Sequence, residues 1–232
     1  DGHTIMGTNL PHIILQPMLQ DPGYKTEDIV NVYMFHFTPD ALLVRADSPH
    51  ATLNDAIAAA RAAPGALTVS GSGTNSANDT ANQLFENLSG ARLTYIPYSG
   101  TAPSTTALLG GEVEFSWGYT TVAAAQGDQV RMLAVAMEKR HPLFPDVPTF
   151  RELGFDMVGG AYRGIAAPAG ADEQTRRALS DVIAAINADP GFIAQMEERG
   201  FAMLDVSYDQ MDAWMAERAM FYRTIAEQLG KR

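Results

Sequence analysis

Between residues 68 and 90 the chain reads TVSGSGTNSANDTANQLFENLSG, and the middle of that stretch has the residue types to do chemistry. An apolar run breaks into Ser72, Gly73, Thr74, Asn75 and Ser76, and an amphipathic helical pattern resumes at Ala77. The first N–H groups of a helix have no partner within it. With the positive end of the helix dipole they suit a carboxylate or another small anion. The phosphate and nucleophile templates fail on particular residues. A P-loop counted from Gly71 finds Ser76 where its second glycine belongs, and no lysine follows. The dinucleotide fingerprint matches at Gly71 and Gly73 and again meets Ser76. A nucleophile elbow fails because Ser70 stands where a glycine must precede Ser72. Taken alone, the stretch also suits a plain helix cap made by Thr74 or Ser76.

Two more loops share its character. Residues 93–96 lead into PYSGTAPS, with Tyr98, Ser99 and Gly100, and residues 113–116 lead into WGYTT, with Trp117 and Tyr119. In a parallel sheet such loops leave at the carboxyl ends of the strands, where α/β proteins hold ligands. The three together predict a polar pocket with aromatic walls. Thr8 and Asn9 close the first apolar run, and Tyr162 and Arg163 precede another. The Arg163 guanidinium could grip a carboxylate at two points, although a surface salt bridge would satisfy it equally. No catalytic or metal set accompanies these residues. His3, His12, His36, His50 and His141 lack ligand spacing and read as surface or packing residues. No nucleophile, base and orienting group can be named together, so neither an enzyme nor a metal or other cofactor is expected.

The elements that must hold these loops follow from periodicity. Apolar runs read as strands at 4–6, 32–37, 41–44, 67–70, 93–96, 113–116, 132–136, 165–167 and 203–206. Helical spacing covers 53–63, 77–88, 103–109, 120–126, 172–188, 192–199 and 207–229. The alternation predicts an α/β fold with a largely parallel sheet. In the last helix, Ser207 and Gln210 form a capping pair, and Met211, Trp214, Met215, Tyr222, Ile225 and Leu229 share one core-facing side. Pro142, Pro145 and Pro148 make a rigid irregular segment, followed by a short helix at 149–153. The chain has 232 residues, 46% of them hydrophobic and 19% charged, which describes an ordinary globular protein. A net charge of −11 argues against nucleic acid or an anionic membrane as partner. No apolar run approaches the roughly 18 residues of a spanning helix, so the chain is not expected to be membrane-embedded. With no cysteine, disulfides and thiolate chemistry are excluded and the compartment is left open.

The segments DGHTIMGTN, LTVSGSGTNS, YIPYSGTAPSTTALLGGEVEF, LFPDVPTFRELGF and YRGIAAPAGA, in this order, resemble the Bug/TctC family. Its members are the solute-binding proteins of tripartite tricarboxylate transporters. The resemblance covers essentially the whole chain, and PDVPTF followed by GIAAPAG is its most specific part. It implies a two-lobe fold similar to type II periplasmic binding proteins, with ligand held between the lobes. Lobe one would comprise residues 1–43 and 160–232, and lobe two residues 44–159. Because the chain opens inside an apparent strand, lobe one is expected to be incomplete at its N-terminus. The implied function is capture of a small carboxylate in the periplasm for membrane transporter subunits. A ligand sensor, or an α/β enzyme on small carboxylates, is the alternative. The implied ligand residues are Thr8, Asn9, Ser72, Gly73, Thr74, Asn75, Ser76, Tyr98, Ser99, Gly100, Trp117, Tyr119, Tyr162 and Arg163. Relatives often carry glycine at the place of Asn75, histidine at Asp79, a basic residue at Ser99 and aspartate at Gly118. The changes at 79 and 99 favour a mono- or dicarboxylate, or a less polar carboxylated compound packed on Trp117 and Tyr119, over a highly charged ligand such as citrate.

Overall fold

The computed structural model describes residues 4–229, without the side chains of Gln228 and Leu229. His3 and the Leu229 side chain therefore lie outside the described residues. The elements in chain order are β1 (Met6–Leu10), α1 (His12–Leu19), β2 (Val30–Arg45), α2 (Leu53–Ala62), β3 (Thr68–Gly71) and α3 (Ala77–Ser89). Then come β4 (Thr94–Pro97), α4 (Thr101–Gly110), β5 (Phe115–Tyr119), α5 (Thr120–Gln126) and β6 (Val130–Val135). The last are β7 (Gly160–Ala167), α6 (Glu173–Asn187), α7 (Pro190–Glu198), β8 (Ala202–Val206) and α8 (Tyr208–Leu229). They form two compact units: residues 4–37, 161–197 and 202–229 make unit one, and residues 38–160 and 198–201 make unit two.

In unit two the strands run in the order β6, β2, β5, β3, β4. β3 pairs parallel with β4 and β5, while β2 is antiparallel to β5 and β6. The sheet is thus mixed, and the largely parallel sheet expected from alternation is confined to three strands. Alternation locates strands and helices but does not report the direction of a strand such as β2. The core of this unit is built on Leu42, Val44, Val69, Phe85, Phe115, Trp117 and Phe150. Trp117 stacks on Phe150 at 5.8 Å between ring centroids, and Phe85 meets it edge-on at 5.6 Å. The Trp117 Nε1–H is satisfied by Asn82 Oδ1 at 3.0 Å. α2 starts with a reciprocal box in which Thr52 and Asp55 each take the other's backbone amide.

Unit one has its own sheet, in the order β1, β7, β2, β8. β1 and β7 are antiparallel, with Thr8 opposite Gly164, Asn9 opposite Arg163 and Leu10 opposite Tyr162. α8 lays Met211 and Tyr222 into a core with Leu10, Ile14, Met34 and Val206, with Trp214 and Met215 packed against it, as its helical spacing predicts. The short helix expected at 149–153 is a turn. Its capping exchange is nevertheless present: the Thr149 amide donates to Glu152 Oε2 at 2.8 Å and the Glu152 amide to Thr149 Oγ1 at 3.1 Å. Gly154, at φ +90°, closes the segment before helical repetition can begin.

Truncation of a ring at the centre of unit two removes both its buried surface and its aromatic contacts. Phe85→Ala is expected to cost about 3–5 kcal/mol, read as a lower urea midpoint with unchanged m.

Candidate functional site

The parallel ladder of β3, β4 and β5 brings the carboxyl ends of the three strands to one edge of the unit-two sheet. The β3–α3 loop is the most constructed of the three. β3 ends at Gly71, where a Cβ would lie 2.3 Å from Tyr95 Oη, so only glycine admits that ring. Tyr95 Oη donates to the Gly73 carbonyl at 2.9 Å, and Ser76 Oγ donates to the same carbonyl at 2.7 Å. Ser76 Oγ also accepts the Asp79 amide at 3.3 Å, which makes Ser76 the N-cap of α3. Asn75 takes the left-handed conformation at φ +55°, which asparagine tolerates better than most side chains. Its amide donates to Asp79 Oδ2 at 2.8 Å, and Asp79 Oδ1 accepts Gln83 Nε2 at 2.9 Å. A carboxylate of the chain itself is therefore already seated on this turn.

The Ser72 amide donates to Asn78 Oδ1 at 3.0 Å, and Ser72 Oγ lies 3.5 Å from Tyr119 Oη. Asn78 Nδ2 in turn donates to Asp40 Oδ1 at 3.0 Å. Asp40 is 3% exposed, and burial pushes its carboxyl up to about 7 against the opposing pull of Asn78. No hydrogen bond to another described residue engages the amides of Ser76 or Ala77. Thr74 is exposed at the tip of the loop. Of the second loop, Tyr98 gives its amide to the Gly71 carbonyl at 2.9 Å, and its hydroxyl donates outward to Glu112 at 3.4 Å. Ser99 is exposed, and Gly100 starts α4 without any side-chain cap. Beneath these loops, Ser104 Oγ donates to Ser70 Oγ at 2.8 Å and lies 3.2 Å from Ser116 Oγ, tying α4 to β3 and β5.

Trp117 does not join this edge. It is fully buried in the core with its N–H committed to Asn82, so the expected aromatic wall at 117 is corrected to a core residue. Tyr119, two residues on, is buried just behind Ser72.

In unit one the four expected residues divide by strand alternation. Facing residues of an antiparallel pair share a side of the sheet, and neighbours along a strand do not. Asn9 and Arg163 share one side, where Arg163 Nη1 donates to Asn9 Oδ1 at 2.5 Å. Thr8 and Tyr162 belong to the other. Tyr162 stacks on Phe37 at 5.2 Å, packs edge-on against Trp214 and takes a hydrogen bond from Arg218 Nη1 at 3.4 Å. Its expected ligand role gives way to a core role. Thr8 is 2% exposed and its hydroxyl has no hydrogen-bond partner among the described residues. Two histidines read from sequence as scattered lie within the field of Arg163. Burial, and then the Arg163 charge, hold His36 down to about 4 and lower His12. No group of acidic and histidine residues able to hold a metal is found among the described residues.

Sequence reasoning missed Tyr95, Asn78 and Asp40. An aspartate inside the apolar run YMFHFTPDALLV is itself a signal, since a buried carboxyl demands a reason. Nothing local distinguishes Tyr95 or Asn78.

The description "tripartite tricarboxylate transporter family receptor" belongs to the family model that matches residues 1–231. The chain belongs to this family. A relative from Cupriavidus necator, described as a UPF0065 protein in the gbd 5′ region, is 31% identical over 99% of this chain and 71% of its own length. Across the first curated relatives it matches, the chain spans 59% to 71% of their length. Among solved structures, a Rhodopseudomonas palustris protein with adipate has a TM-score of 0.90 at 24% identity, covering 99% of this chain and 79% of its own. A second protein from that organism, MatC with bound malate, has a TM-score of 0.85 at 23% identity, covering 97% and 80%. These likenesses establish the fold of the family in this chain.

The charge state of His36 gives a direct check on the Arg163 field. Its folded pKa lies below the usual 6.5, so the stability it contributes is full above that value and is lost as pH falls toward about 4. Imidazole NMR is expected to show a neutral His36 ring down to about pH 4, and Arg163→Gln to move that midpoint upward.

Proposed function

We propose that this chain is a solute-binding protein that captures a small mono- or dicarboxylate, without transforming it, for the membrane subunits of a tripartite tricarboxylate-type transporter in the periplasm. The observation that carries the reading is the unit-two edge. There the amides of Ser76 and Ala77 have no acceptor among the described residues and α4 starts without a side-chain cap, beside a turn that already seats the Asp79 carboxylate. Such a surface is complementary to a carboxylate in the same way that it is complementary to Asp79. Gly73, Thr74, Asn75, Ser99 and Gly100 would shape this grip, with Ser72 and Tyr119 behind it. Unit one offers a second grip of a different kind, the Asn9–Arg163 pair.

Ligand charge follows from the donors that each unit offers by itself. The loops of unit two carry no lysine or arginine, so their contribution comes from amides and hydroxyls. A guanidinium with one carboxamide beside it suits a single further carboxylate. Dicarboxylates are the ligand class these donors suit, and the similar proteins solved with malate and with adipate hold ligands of that class. No helix among the described residues is long and apolar enough to cross a membrane.

A thermal-shift panel of mono-, di- and tricarboxylates tests the reading. A diacid present at about 100 times its Kd is expected to add roughly 2.7 kcal/mol of stability. Arg163→Gln is expected to weaken that diacid by about tenfold or more while leaving the far-UV spectrum unchanged. Recovery of the ligand unaltered by mass spectrometry accords with capture, and a product would return the enzyme reading. A panel without any shift would sink the proposal.

A further inference from the structure

Asp40 has a role that neither grip explains. It stands on β2 in unit two, within an apolar run, and the donor to its carboxylate among the described residues is Asn78 Nδ2 at 3.0 Å. Its backbone is fixed: the amide donates to the Gly159 carbonyl at 3.1 Å, and the carbonyl accepts the Ala136 amide at 2.8 Å. Asn78, 1% exposed, has no freedom to turn without a loss, because its Oδ1 accepts the Ser72 amide at 3.0 Å. A carboxamide has one donating end and one accepting end. An ionised Asp40 can only accept, so it claims the donating end and leaves the accepting end for Ser72. A protonated Asp40 carries an O–H donor of its own and can compete for the Asn78 oxygen. The state of one proton is thereby read out at the first residue of the β3–α3 loop.

Among the described residues, the groups around this strut offer Asp40 no cation. Tyr119 on β5 stands directly opposite it in the sheet, Tyr95 on β4 is bonded to the Gly73 carbonyl, and Asp79 on α3 is occupied by Asn75 and Gln83. The Gly159 and Ala136 segments contribute backbone alone. An anion placed at the loop adds negative charge to a region that already holds the Asp40 and Asp79 carboxyl groups.

We propose that Asp40 is a positioning residue that sets the β3–α3 loop through Asn78 and the Ser72 amide, and that a proton on Asp40 and an anion at this loop bind cooperatively. The second half rests on the carboxylate-binding reading above; the first half does not. Burial places the proton equilibrium near neutral pH, where both states are populated. The folded state holds the proton more tightly than the unfolded chain does. Its stabilising contribution is full below about 3.8 and is lost as pH rises through about 7. That sign is opposite to the one His36 contributes over much of the same range.

The test is NMR on the whole chain, labelled at aspartate carboxyl carbon and at backbone nitrogen, from about pH 5.5 to 9. A buried carboxyl is expected to titrate near pH 7, with the Ser72 amide resonance moving at the same midpoint. Asp40→Asn removes both transitions. Asn78→Ser keeps the carboxyl transition and disconnects Ser72 from it. A Ser72 amide that stays flat while the carboxyl titrates, or no carboxyl titrating in that range, overturns the positioning role. Saturating adipate is expected to raise the midpoint, and adipate affinity to fall by up to about tenfold per pH unit above it. Adipate binding with an unmoved midpoint overturns the cooperativity. If no diacid binds at all, the capture reading and the cooperativity fail with it, and the Ser72 titration alone decides the role of Asp40.

Discussion

Unit two depends on burying α3, a helix whose buried residues are mostly polar. Asn78, Asp79, Asn82, Gln83 and Glu86 of α3 are each less than a tenth exposed, in a position where most helices present leucine or valine. Such side chains are costly to bury unless they find partners, and the surroundings are arranged to supply them. Asn82 takes the Trp117 indole N–H and donates to Glu86, and Glu86 accepts the Leu93 amide and the Arg92 guanidinium. Asn78 and Asp79 hold the loop in front of the helix, while Asn82 and Glu86 hold the core and the following strand behind it. One helix thus couples the aromatic centre of the unit to its candidate ligand edge through hydrogen bonds, in which geometry is far less forgiving than in apolar contact.

On the proposed reading, the two units would recognise an anion by different physics. The unit-two edge uses oriented dipoles, which carry no net charge and so do not offset the −11 of the chain. Unit one uses a full charge, and its neighbours show what that charge does to its surroundings. His36 and His12 remain neutral beside it, so the guanidinium is not diluted by further cations that would draw anions indiscriminately. The overall acidity of the chain works in the same direction by repelling polyanions at long range.

Much of this architecture is legible in the sequence, and the exceptions have identifiable causes. The α8 core face and the loops after β3, β4 and β5 follow from spacing that a single element imposes on itself. β2 is read as two strands because Thr38, Pro39 and Asp40 interrupt the apolar pattern, yet it runs unbroken from Val30 to Arg45. The 149–153 segment has a correct capping pair, but a glycine in positive φ stops it short of a helix. Of the expected site residues, Ser76 caps α3 and Arg163 lies beside Asn9, whereas Trp117 and Tyr162 lie in the cores. For Tyr162, two adjacent residues on one strand cannot serve the same surface. For Trp117, an aromatic at a strand end is equally suited to the core. Tyr95, Asn78 and Asp40 act across sequence separations that local pattern does not carry.

The absent side chain at Gly71 has a thermodynamic meaning as well as a steric one. Because Tyr95 lies flat against the strand there, the following loop is held by two hydrogen bonds to one carbonyl, with no ligand required to complete it. A segment already ordered has little conformational entropy left to surrender on association. Differences among ligands at such an edge should therefore be expressed in how long they remain, with the rate of capture nearly common to them all.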